Sequence, residues 1–170
     1  MGTWITVAIV LFIAGSVMGL KPNTSGRFLD ELRMAARRLG LQPKLVACPS
    51  WLVGKGGNVA TDKGKGMIAQ YGLVIEGGTM QPCDYQIIDG EWRPYTGNHP
   101  ANFALDKRPV GLPPSITTGA QGLSAKANFI CLYWHENIEL GRPANLENRE
   151  KDLITLKTQL QQLANLVQNG

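Results

Sequence analysis

Residues 123–136 read LSAKANFICLYWHE, and their alternation indicates the class of fold. Side chains on an extended chain point alternately to opposite sides. Leu123, Ala125, Ala127, Phe129, Cys131 and Tyr133 fall on one side, and Ile130, Leu132 and Trp134 on the other. Both sides are apolar toward Trp134, which predicts one central strand covered on both faces. Neighbouring strands are available. KLVAC (44–48) predicts a short one, and GMIAQYGLVIEGG (66–78) a longer one, with Gly72 as a candidate bulge. In CDYQIIDGEWRPY (83–95), Asp89-Gly90 between Ile87-Ile88 and Glu91-Trp92 predicts a tight hairpin.

Two helical patterns flank these strands. Over 24–39, Phe28, Leu29, Leu32, Ala35, Ala36 and Leu39 form an apolar stripe, and Arg27, Asp30, Arg33, Arg37 and Arg38 occupy the remaining surface. Thr24 or Ser25 suits the N-cap, Gly40 suits the residue after the helix, and Pro43 prevents continuation. Over 145–168, Leu153, Leu156, Leu160, Leu163 and Val167 step by three and four, a seam that fits either the chain's own sheet or a partner helix. Between the strands, 93–124 is rich in Pro and Gly and reads as an ordered surface excursion, a candidate partner contact. Within it NHPANFALDK (98–107) has the character of one or two helical turns.

The N-terminal stretch WITVAIVLFIAGSVMGL (4–20) carries no charge. As a helix it would extend roughly 25 Å, close to the ~30 Å hydrocarbon core of a bilayer. It lacks the basic start and small-residue cleavage site of a signal peptide, so an uncleaved transmembrane helix is expected. No Lys or Arg precedes it, and Lys21, Arg27, Arg33, Arg37, Arg38 and Lys44 follow it. That asymmetry predicts residues 1–3 in the periplasm and a cytoplasmic domain over 21–170. Gly15 and Gly19 form a small-residue pair through which another membrane helix can approach closely. The basic side chains Lys21, Arg27, Arg33, Arg37 and Arg38 can meet lipid headgroups, at about 1 kcal/mol each, or simply be solvated.

The 170 residues carry a formal charge of +4, with 44% hydrophobic and 18% charged residues, enough for one folded domain beside an anchor. The basic charge sits beside the apolar stretch and is not interleaved with aromatics, which argues against nucleic acid. Cys48, Cys83 and Cys131 are odd in number and scattered, so reduced thiols are the simpler reading; an opposite orientation would leave room for one bridge. GKGGNVATDKGKG (54–66) fails the phosphate-loop pattern, because Val59 stands where the first glycine belongs and Gly66 follows Lys65. With only His99 and His135, no metal site, cofactor site or catalytic constellation is expected. Asp84, Asp89 and Glu91 are explained by the hairpin.

GLKP (19–22), LDELRMAARRLGLQPKLVACPSW (29–51), AQYGLVIE (69–76), DGEWRP (89–94) and CLYWHE (131–136) follow the N-terminal apolar run in an order that resembles a family of small single-pass inner-membrane proteins of Gram-negative bacteria. Most are uncharacterised, and some are labelled a preprotein-translocase auxiliary subunit. The resemblance covers nearly the whole chain. It implies a bacterial inner membrane and carries no catalytic signature.

The expected fold is α+β: one transmembrane helix, then a small, mainly antiparallel sheet packed by a basic juxtamembrane helix and a C-terminal helix. The expected function is that of a non-catalytic accessory or assembly subunit, with membrane lipid and a larger integral membrane complex as partners. No small-molecule substrate is indicated. The rival readings are a membrane-tethered enzyme and a solitary lipid-surface or stress adaptor.

Overall fold

The computed structural model describes residues 24–52, 66–136 and 146–169. The 4–20 stretch, with Gly15 and Gly19, and Lys21 lie outside the described residues. Among the described residues no helix is long and apolar enough to cross a membrane.

The first helix, α1 (Thr24–Arg38), buries Leu32, Ala35 and Ala36 and leaves Arg27, Arg37 and Arg38 exposed. Gly40 ends it with φ +84°. The Gly40 N–H donates to Arg37 O and the Leu41 N–H to Ala36 O, each at 3.0 Å, and Leu41 is buried against the core. This is a Schellman ending, and it needs a residue that tolerates positive φ.

The strands are β1 (Gln42–Ala47), β2 (Met67–Val74), β3 (Met80–Ile88), β4 (Glu91–Tyr95), β5 (Ala120–Ala127) and β6 (Phe129–Trp134). A 3-10 turn (Ser50–Leu52) follows β1, a short helix α2 (Pro114–Thr117) precedes β5, and α3 (Leu146–Asn169) comes after the sheet. The six strands form one sheet in the order β1-β2-β6-β5-β3-β4, with every neighbouring pair antiparallel.

The stretch 123–136 forms two strands instead of one. It turns at Ala127 and Asn128, with Lys126 opposite Phe129 and Leu123 opposite Leu132. Ala127 takes φ +54° at the tip, where no glycine marks the turn. The turn pairs odd-numbered residues with even-numbered ones, so the predicted facing changes. Leu123 and Ala125 share a face with Ile130, Leu132 and Trp134; Cys131 and Tyr133 lie on the opposite face with Ser124. The central location was read correctly, since β5 and β6 occupy the middle of the sheet.

Gly72 is not a bulge either. It pairs in register with Cys131, and a Cβ there would run into the ring of Phe129, which lies over it. Asp89 and Gly90, at φ +53° and +77°, make the tight β3–β4 turn.

One face of the sheet carries the core. Ala69, Tyr71, Leu73, Tyr85, Trp92, Leu123, Ile130, Leu132 and Trp134 pack there with residues of α1 and α3. Leu153, Leu156, Leu160, Ala164 and Val167 are buried in this core, and Leu163 is partly buried. The helical seam therefore packs on the chain's own sheet. The segment 96–119 belongs to the same core: Leu105, Val110, Leu112 and Ile116 are buried in it. Its backbone also closes the outer edge of β4, with the Trp92 N–H donating to Arg108 O at 2.9 Å and the Lys107 N–H to Trp92 O at 3.0 Å. Phe103, 67% exposed, is its one large apolar side chain left in solvent among the described residues.

Candidate functional site

The five basic residues expected at a lipid surface do not share one environment. Lys21 lies outside the described residues. Arg27, Arg37 and Arg38 are exposed on α1. Arg33 is turned inward. Its Nε donates to Glu136 Oε1 at 3.2 Å and its Nη2 to Oε2, so the guanidinium grips the carboxylate with two bonds. The Tyr71 hydroxyl donates to the same Oε1 at 2.7 Å. The Glu136 side chain is 6% exposed and that of Arg33 21%. The hydrogen bond to Glu136, together with the charge of that carboxylate, raises the Arg33 pKa against the opposing effect of burial. Burial first, then Glu136, pushes the Tyr71 phenol up as well. The result is a clamp that joins α1 to β2 and to the end of β6. A desolvated carboxylate needs such partners, and here an arginine and a phenol supply them.

The face of the sheet away from α1 and α3 is the more polar one, with a second, smaller apolar cluster of Cys48, Trp51, Leu52 and Ile68 on it. Tyr95, Asp84, Ser124, Cys131, Gly72 and Gln42 align across it from β4 to β1. A second row holds Arg93, Gln86, Gly122, Tyr133, Gln70 and Lys44. The Ser50–Leu52 turn seats Trp51 and Leu52 on Gly122, where no side chain intervenes. The Trp51 ring stacks on Tyr95 with centroids 5.9 Å apart and meets Tyr133 edge-on at 5.6 Å. Gln86 donates to the Trp51 carbonyl and fixes the turn from below.

Beside this aromatic group lies Asp84, only 5% exposed. His99 Nε2 stands 4.0 Å from its Oδ2. Cys131 lies in the same row on the far side of Ser124, with Gln70 Nε2 donating to Sγ at 3.0 Å. Burial raises the Cys131 thiol pKa, with hydrogen bonds from Gln70, Tyr133 and Ser124 opposing it. On the other face, burial and then the Asp84 charge push Cys83 up to about 11. Cys48 is also raised by burial. A nucleophilic cysteine requires the opposite shift, toward thiolate at neutral pH. These three are protonated packing groups, which makes thiol catalysis a poor fit.

Sequence reading missed both polar groups. Glu136 was read only as part of a strand end, and Asp84 as turn chemistry. The expectation of one strand over 123–136 put Cys131 on a face with Leu123, which hid its place beside Ser124 and Gln70. Comparison with protein-family models, with curated proteins and with solved structures gives no match.

Proposed function

We propose that the chain is a membrane-tethered, non-catalytic accessory or assembly subunit of a larger bacterial inner-membrane complex, with 4–20 as its single span and the sheet domain in the cytoplasm. The observation that carries this reading is the Arg33–Glu136–Tyr71 clamp. It joins the helix that follows the apolar stretch to the centre of the sheet. Held this way, α1 and the sheet form one unit, which suits an assembly subunit. The raised thiol pKa values argue against a cysteine nucleophile, and the resemblance to single-pass inner-membrane proteins supports the location.

The test uses the full chain in a Gram-negative host. It should stay with membranes through an alkaline carbonate wash, and a reporter active only in the periplasm should be inactive when fused after Gly170. In mild detergent the chain should migrate in an assembly larger than itself. Gly15→Leu with Gly19→Leu should leave insertion intact and dissolve that assembly. Release by carbonate would overturn the anchor, an active periplasmic reporter the orientation, and a solitary species in detergent the subunit role.

A second reading, a membrane-tethered enzyme, has one observation in its favour: buried Asp84 beside His99 on the polar face. His99→Gln should then abolish function in the host without lowering thermal stability; unchanged function would remove this reading.

A further inference from the structure

The sheet has two outer edges, and among the described residues the chain closes one of them. The 107–109 backbone covers β4. At the other edge, β1 pairs with β2 alone. The Cys48 N–H donates to Gly66 O at 2.9 Å, which fixes the alternation of the ladder. Even-numbered residues of β1 bond to β2, and Pro43, Leu45 and Ala47 turn their backbone groups outward. That placement explains how a strand accepts Pro43, whose nitrogen has no hydrogen to give. Among the described residues, the N–H and C=O groups of Leu45 and Ala47 have no backbone partner. The side chains there are apolar as well. Leu45 lies on the core side of the sheet, opposite buried Ala69, yet is 50% exposed. Ala47 is exposed beside it, and Met67, opposite Ala47, is 58% exposed. The described helices stop short of this corner. A bare, apolar edge is a template for another strand.

We propose that this edge pairs with the same edge of a second copy, so that the β1 strands run antiparallel about a two-fold axis and the sheets become one. The edge is self-complementary in one register. With Val46 facing Val46 of the second copy, Leu45 faces Ala47, and the free N–H groups of both strands find acceptors. Pro43 then stands opposite Pro49, so the ladder ends where neither strand has a donor. Centring the pair on Leu45 instead would set Ala47 against Pro43 and leave an acceptor without its donor. The charges agree with the first register. Lys44 faces Cys48, which sets the Lys44 side chains of the two copies roughly 14 Å apart along the ladder. That exceeds the ~8 Å screening length of physiological salt. On the core side, Leu45 of each copy enters the row of Ala47 and Met67 of the other, which gives these exposed apolar side chains neighbours. The contact belongs to the folded domain and stands independently of the assembly role.

The experiment uses the full chain in a mild detergent, oxidised with copper–phenanthroline and read by non-reducing gel electrophoresis. Residues that face each other without hydrogen bonds in such a pair have Cα atoms about 4.5 Å apart, within the range a disulfide spans. Val46→Cys should therefore link two copies. Leu45→Cys is out of step with itself in this register, and Lys126→Cys is exposed at the β5–β6 tip. Both should link more slowly, by about tenfold or more, because their sulfurs do not meet. The native chain should not link, since Cys48, Cys83 and Cys131 are buried. Adding Leu45→Lys to Val46→Cys places a charge on the bare edge and should slow linkage by a similar factor, with little change in melting temperature. Adding Gly15→Leu and Gly19→Leu instead should leave linkage intact; its loss there would assign the contact to the membrane helices and overturn the proposal. Val46→Cys chains that stay unlinked, that link no faster than Lys126→Cys, or that link only to a protein of another size also overturn it. So does linkage undiminished by Leu45→Lys. Linkage through Leu45→Cys and not through Val46→Cys overturns the register on which the proposal rests.

Discussion

Glu136 is the residue whose loss should cost the domain most for its size. Its partner Arg33 is 103 positions away in sequence, and the pair ties α1 to the end of β6. Glu136→Gln keeps an acceptor for Tyr71 but leaves the guanidinium without its counter-charge. A fully buried pair broken on one side costs about 3–5 kcal/mol. With Arg33 at 21% side-chain exposure, about 2–3 kcal/mol is expected, because solvent screens part of the loss. Urea unfolding followed by tryptophan fluorescence would measure it. Arg37→Gln, on the exposed side of the same helix, should change stability by less than ~0.5 kcal/mol. Nothing near Glu136 in sequence announced this role. A carboxylate at the end of an apolar strand reads as a solvated terminus until the fold brings Arg33 and Tyr71 to it.

Elements were legible where their signals are local. The stripe of α1, its Gly40 ending, the Asp89-Gly90 turn and the leucine spacing of α3 each follow from neighbouring residues. The β5–β6 hairpin was not legible, because Lys126-Ala127-Asn128 has no glycine and the alternation runs through it without a break. Ala127 at φ +54° provides a direct test. If the hairpin is present, Ala127→Gly removes left-handed strain and should stabilise by about 0.5–1 kcal/mol. On a single continuous strand the same change would destabilise. Gly72→Ala should cost about 1–3 kcal/mol, because the added carbon displaces the Phe129 ring. For α3, Leu160→Asp places a charge at a position with 0% exposure. Its cost of several kcal/mol is comparable to the entire stability of a small domain, about 5–15 kcal/mol. Gln161→Asp and Gln162→Asp, both exposed, should be mild, and thermal melts of the three variants would separate the faces.

At the scale of the whole molecule, strand order could not be read from sequence. Placing the β5–β6 hairpin between β2 and β3 depends on which apolar faces match across long separations, and no local pattern records that. The same burial sets how the protein should respond to alkali. Tyr71, Tyr85, Tyr133, Cys48, Cys83 and Cys131 all have raised pKa values, with burial the largest cause in each. In the unfolded chain the thiols titrate near 9.0 and the phenols near 10.0. Above those values the unfolded chain releases protons that the folded chain retains, which favours unfolding. The stability tied to these groups is therefore fully present below pH 9 and is lost as pH rises. Cys83 contributes to this loss between 9.0 and about 11, at up to ~1.4 kcal/mol per pH unit. The urea midpoint should thus fall progressively above pH 9. Cys83→Ala should lower the midpoint at pH 7, through the small cavity it leaves, yet flatten the decline between pH 9 and 11. A decline equally steep in both proteins would mean that the Cys83 thiol titrates in the folded state as it does in the unfolded chain. Its place in the core beside Tyr85 and Ala125 would then be wrong.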